Sequence, residues 1–317
     1  MKGNSTMNKV FLFLSIFIVI TLACDLAVTV ASPTEPVPML TNTLPPDLGI
    51  PTQILASATS IPTTEIPVPT TAASTSQPPS VDGVSVTYGP LGFDLPSGIA
   101  GGFVGNQFPR AEGDNVAPWE VTPGHTRITL DGYLLQGKFH QPQIFVYPAT
   151  EYALMYPAAF ESIHRLNNIL YSPDAPNLSE PLPGVPFFNA AQIFASNVQA
   201  ISFQGGSGVR FVTQYAQNAM PVNNHELFYH FQGLSRNGAY YIIAIFPVTA
   251  PVLAESNDPG AVLPPGGIPY PDIINTDVGT QGYYVSVTDL LNATSPDAFT
   301  PSLNQLDALI QSMLIAP

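Results

Sequence analysis

The sequence predicts an α+β domain in which a twisted antiparallel sheet carries a mid-chain helix and a C-terminal helix packed on it. Three observations point there. Of the 317 residues 45% are apolar and only 9% charged, with 35 prolines and 24 glycines, a balance that suits a core carried among many turns better than long helices. Between Val198 and Val248, apolar β-branched and aromatic runs are separated by short glycine- and asparagine-rich steps. Helical periodicity is clearest in two places, Tyr156 to Tyr171 and Pro301 to Met313.

The domain is expected over residues 84–317. From Val84 the segment VSVTYGPLGFDLP brings the β-branched and aromatic residues that open a sheet. Ser97 to Pro123, rich in Gly and Pro around the lone Trp119, reads as irregular. Strands are expected next at His125 to Leu135 and Gln143 to Tyr147. In Tyr156 to Tyr171, Pro157 suits the first helical turn, and Phe160, Ile163, Leu166, Ile169 and Leu170 fall on one face. After a Pro-rich loop (SPDAPNLSEPLPGVP) and Asn189 to Ala195, a meander runs through Val198 to Gln204, Val209 to Ala216, Glu226 to Leu234 and Ala239 to Val248. Its turns are GGSG at 205–208 and Arg236-Asn237-Gly238, where Gly and Asn accept positive φ cheaply. The loop from Ala250 to Gly282, with PPGGIPYPD, is longer than a compact domain normally tolerates without purpose. Around Tyr284, Val287 and Leu291 both a short helix and a strand over Tyr283 to Val287 fit. Thr300 can cap a last helix that Pro301 begins and whose Leu303, Leu306, Ile310 and Met313 form an apolar stripe.

This order of elements, with TYGPLGFDLP followed by Trp119, resembles the Mog1 and PsbP-like α/β/α sandwich over Val84 to Ile315. The segment NNHELFYHFQGLSRNGAYYIIAIFPV is similar to a block in uncharacterised bacterial surface lipoproteins built with Pro/Thr stalks. That second resemblance implies location and carries no chemistry.

The N-terminal part has a different logic. Lys2 and Lys9 flank a polar start, and Val10 to Leu22 is an unbroken apolar run of signal-peptide length, so residues 1–23 read as an export segment. Ala23-Cys24 resembles the lipobox of bacterial lipoproteins, which implies a diacylglycerol on Cys24 and a lipidated N-terminus over 24–31. Leu22 and Thr21 depart from the residues usual there. An uncleaved signal anchor, or an ordinary signal peptide cut near Ala23 or Ala31, would explain the same residues. Two long acyl chains, at about 0.8 kcal/mol per buried methylene, suffice for stable anchoring. Residues 32–80 are Pro, Thr and Ser with scattered aliphatics and no aromatic, too little apolar surface to offset ordering entropy. They read as a disordered, semi-rigid stalk of about 3.1 Å per residue where extended, open to O-glycosylation. Cys24 is the only cysteine, so the domain has no internal disulfide.

Charge excludes some partners. The chain carries −14, and two units more once Lys2 and Lys9 leave with the export segment. Beyond Cys24 the cations are Lys138, Arg110, Arg127, Arg165, Arg210 and Arg236, dispersed and unable to form a phosphate-neutralising stripe. Nucleic acid is not expected as a partner, and membrane attachment must come from the lipid rather than a polybasic patch.

No reactive constellation is compelling. His225-Glu226 with His230 lacks the spacing of a zinc helix; on a strand the two histidines point to opposite faces, with Glu226 on the face of His230. Ser207 in GGSGV has Val209 where a nucleophile elbow needs glycine. The GGFVG at 101–105 and PPGG at 264–267 lack the strand-to-helix setting of a phosphate cradle. Glu112, Asp114 and Glu120, or Glu255, Asn257 and Asp258, place oxygen ligands in loops without an EF-hand pattern. No cofactor or metal is expected. Of the aromatics in the meander about half face the core; an outward set, Tyr229, Phe231 and Tyr241 with Tyr270 from the long loop, is expected to line a groove for a saccharide or protein ligand. The sequence therefore reads as a lipid-anchored extracytoplasmic module, binding rather than catalytic. An extracellular hydrolase using carboxylates of the 250–282 loop, or a purely structural envelope component, are the alternatives.

Overall fold

The computed structural model describes residues 83–171, 182, 184, 188–258, 260–272 and 279–315. The export segment, Cys24 and the 32–80 stalk lie outside the described residues. The described part is α+β, two antiparallel sheets with four helices.

The main sheet is assembled around the meander. Strands β6 (Ala191–Phe203), β7 (Gly206–Ala216), β8 (Phe228–Ser235) and β9 (Tyr240–Pro247) pair in sequence order, and β5 (Gln143–Pro148), β4 (His125–Asp131) and β3 (Gly102–Phe108) extend it beyond β9, giving the order β3-β4-β5-β9-β8-β7-β6. The small sheet is the hairpin β1 (Gly83–Tyr88) and β2 (Leu91–Pro96), joined by the C-terminal β10 (Leu314–Ile315). The segment expected to be irregular thus contains an edge strand. Its sequence hides the pattern because β3 is largely exposed on both faces, so no burial imprints a period of two. Gly105 has a separate reason: an added Cβ would sit 2.4 Å from Tyr88 Cγ.

Helices cover both faces of the main sheet. On one side α1 (Ala149–Met155) and α2 (Pro157–Tyr171) close a core with Phe145, Tyr147, Phe211, Phe228, Tyr241, Ile243 and Ile245. On the other, α3 (Gln281–Ala293), α4 (Leu303–Gln311) and the small sheet close a larger one with Tyr229, Phe231, Ile242, Ala244 and Phe246. Alternation along β8 and β9 therefore sorts residues between two cores rather than between core and solvent.

Several expectations need correction in detail. In α2 the inward residues are Ala159, Ser162, Leu166 and Ile169, while Phe160 is half exposed and stacks on His164 one turn on. The segment around Tyr284 is helical, with Tyr283, Tyr284, Val287 and Leu291 buried at helical spacing. The last helix is capped by Ser302, whose Oγ accepts from the Asn304 amide at 3.2 Å; Thr300 is instead held extended, exchanging backbone hydrogen bonds with Thr249. The turn between β6 and β7 is at Gly205, φ 98°, and Ser207 lies within β7 opposite Ser202 and Leu234, in no nucleophile elbow.

Candidate functional site

The expected aromatic groove is absent from the described residues. Tyr229, Phe231 and Tyr241 are each 0% exposed, Tyr241 on one face of the sheet and the other two on the opposite face. Tyr229 donates to Asp307 Oδ1 at 2.8 Å and Tyr241 to Gln232 Oε1. Tyr270 packs edge-on against Tyr283 at the rim of the larger core. Since helices cover both sheet faces, neither aromatic row is left for solvent.

A different set of aromatics forms a cleft of about 480 Å³ at the end of the sheet. It is built from four separate segments. Phe139 and His140 come from the loop before β5, Phe188 and Asn189 from the approach to β6, Tyr215 to Asn218 from the end of β7, and Met220 and Glu226 from the connection to β8. The rings brace one another: His140 lies 5.2 Å from Phe188 and 4.2 Å from the buried Phe228, and Phe188 meets Tyr215 edge-on at 5.0 Å. Phe139 is 66% exposed at the lip, beside His140 and His225.

Buried amides fix the wall that carries Glu226. Gln214, fully buried on β7, donates from Nε2 to Glu226 Oε2 at 3.1 Å and to the Pro221 carbonyl at 3.3 Å, and accepts from the Asn223 amide at 3.0 Å. Asn223 Oδ1 in turn accepts from the amides of His225 and Glu226. Asn224 reaches the other way, bonding Ala250 and Leu253. The hydroxyls of Tyr283 and Tyr284 accept from the amides of Val222 and Met220. Each turn of this connection is thereby tied to a strand, a loop or a helix.

These bonds also correct the placing of the His225, Glu226 and His230 group. Residues 224–226 form a turn before β8, so Glu226 and His230 share no strand face. Glu226 lines the cleft, while His230 is buried beside Phe211 and Phe228. Electrostatically the cleft favours neutral forms. Burial raises the Glu226 carboxyl above its ordinary value, an effect that nearby His225 partly opposes. Burial, helped by His225, pushes His140 down to about 4, leaving a neutral imidazole at pH 7.

Four of the remaining loop candidates are occupied locally. Glu112 pairs with Arg110 at 2.6 Å, and Glu120 reaches the Ala117 amide. In the long loop Glu255 bonds Asn224 and Lys138, and Asp258 caps the Gly260 amide. Among the described residues no group of three or more His, Cys, Asp or Glu could hold a metal ion, and no helix is long and apolar enough to cross a membrane. Further depressions among the described residues include an apolar groove of about 400 Å³ between α1 and α2, where Leu154 and Phe160 are exposed, and one of about 200 Å³ between β6 and α3. Among the described residues the loop acids line none of these three.

No family model, no curated protein and no solved structure matches the chain. The chemistry of the site therefore rests on its own geometry. Sequence reasoning missed it because its residues are far apart in the chain, yet one signal was present: Phe139 and Phe188 are large apolar residues in polar or Pro-rich loops, outside any periodic strand or helix.

Proposed function

We propose that the chain is an exported, lipid-anchored binding module of a bacterial envelope, taking a small ligand into the cleft bounded by Phe139, Phe188, Tyr215 and Glu226. The observation that carries the reading is the cleft itself: a volume within the range of about 300–1,000 Å³ common to small-molecule sites, with aromatic walls and amide and carboxylate groups at its opening. Binding is favoured over hydrolysis because glycosidase chemistry needs two carboxyl groups across the scissile bond, and among the described residues Glu226 is the one acid in the lining. A structural envelope component would call for a flat contact face rather than a braced concavity.

The Met220 methyl is a built-in reporter, since Met220 lines the cleft whereas Met313 is fully buried in the larger core. With methionine methyls carbon-13 labelled in the full chain, titration with glucose, N-acetylglucosamine, a Gly-Gly-Phe peptide and choline is expected to move Met220 with at least one probe while Met313 stays still. A panel that binds without moving Met220 removes the cleft from the reading. The anchor has its own test. Cys24→Ala is expected to leave the chain exported but without incorporated radiolabelled fatty acid, and label retained in that variant would refute lipidation at Cys24.

A further inference from the structure

We infer that the cleft selects an uncharged saccharide ring, with Phe139 stacking on its apolar face and Glu226 accepting its hydroxyls. The inference rests on the binding role proposed for this cleft and concerns only which ligand that site prefers. Sugars are amphipathic: the C–H groups of one ring face suit an aromatic plane, and the ring edge demands hydrogen-bond partners in fixed directions. Phe139 supplies the plane. It is two-thirds exposed at the mouth of the cleft, and its position there satisfies no core. The amides of Asn189, Gln217 and Asn218 line the same opening and offer both donors and acceptors.

Glu226 is held for such a role. Its Oε2 accepts from the fully buried Gln214, which orients the group and leaves Oε1, among the described residues, for a ligand hydroxyl. Gln214 is thus a positioning residue, locked by its bonds to Pro221 and Asn223. Charged ligands fit less well. Among the described residues no Lys or Arg lines the cleft, so an anion meets Glu226 and burial without a counter-charge. A cation would find a single carboxylate, one oxygen of which is already engaged by Gln214. An extended peptide cannot add to β7 beneath the cleft, which is paired on both sides.

The test compares pyranose rings of one scaffold whose substituents at C2 or C6 are neutral or charged. Glucose and N-acetylglucosamine are titrated against glucosamine and glucuronate on the full chain, with Met220 as the readout, in wild type and in Phe139→Ala and Glu226→Gln. A neutral sugar is expected to bind about tenfold or more tightly than its charged counterparts, and each substitution to weaken it by about tenfold. Exposed Phe139 can be removed without disturbing the core, so Phe139→Ala carries the comparison should Glu226→Gln lower the melting temperature. If glucosamine, glucuronate or choline binds more tightly than the neutral ring and still moves Met220, the saccharide inference falls and the cleft reading survives. If no neutral sugar binds at millimolar concentration, the inference falls as well. Binding unaffected by either substitution, with Met220 unmoved, overturns both.

Discussion

Asp307→Ala is expected to destabilise the domain by about 3–5 kcal/mol in urea unfolding, because it strands a buried arginine. Arg210 on β7 is 3% exposed, and its Nε and Nη2 donate to the two carboxylate oxygens of Asp307 on α4 at 3.0 and 3.1 Å. The guanidinium also donates to the Asn197 carbonyl and to Gln199 Oε1, and Tyr229 donates to the same carboxylate. This fork docks α4 onto the sheet. Losing one partner leaves the other charge desolvated with too few acceptors, whereas Arg210→Met with Asp307→Leu removes both and is expected to cost far less than the single change. A single-variant cost below about 1 kcal/mol, the size of a surface pair, would show that the pair is solvated in solution.

The fold class was legible because the meander announces itself twice, by β-rich runs and by the turn at Asn237-Gly238, where Gly238 adopts φ 69°. What misled was the assumption that one sheet face meets water. β9 reads YYIIAIFP, a nearly continuous apolar run, and such runs mark strands covered on both faces; taken at that value, it would have placed Tyr241 and its neighbours in a core. Two of the missed elements carry only weak patterns. β3 buries too little to carry one, and α1 is seven residues long, about two turns, too short for helical periodicity to stand out. Residue Glu226 shows how fine the margin is: a strand beginning two residues later than expected moves it from a sheet row into a turn, and so into the cleft. No local pattern links it with Phe139, because only the closed sheet brings them together.

Phe231→Ala is the second large effect, expected at about 3–5 kcal/mol and toward the upper end because of what surrounds the ring. It is fully buried, meets Phe203 edge-on at 6.0 Å, and lies against Gly208 and Gly233. Glycines have no side chain to relax into the vacated space, so the cavity stays open. A residue lining an exposed groove would instead cost about 0.5 kcal/mol or less. The same geometry predicts coupling. An added Cβ at Gly233 would approach the Phe231 ring to 2.7 and 2.8 Å, with Phe203 Cε1, at 3.0 Å, the next atom in the way. Gly233→Ala alone should therefore cost about 1–3 kcal/mol by overpacking, yet much less once the ring is gone. The double variant is expected to fall short of the sum by about 0.5–3 kcal/mol, read from urea midpoints at equal m-values. Strict additivity would mean that position 233 is a glycine for the sake of its backbone, and that the ring of Phe231 does not rest in a notch cut for it.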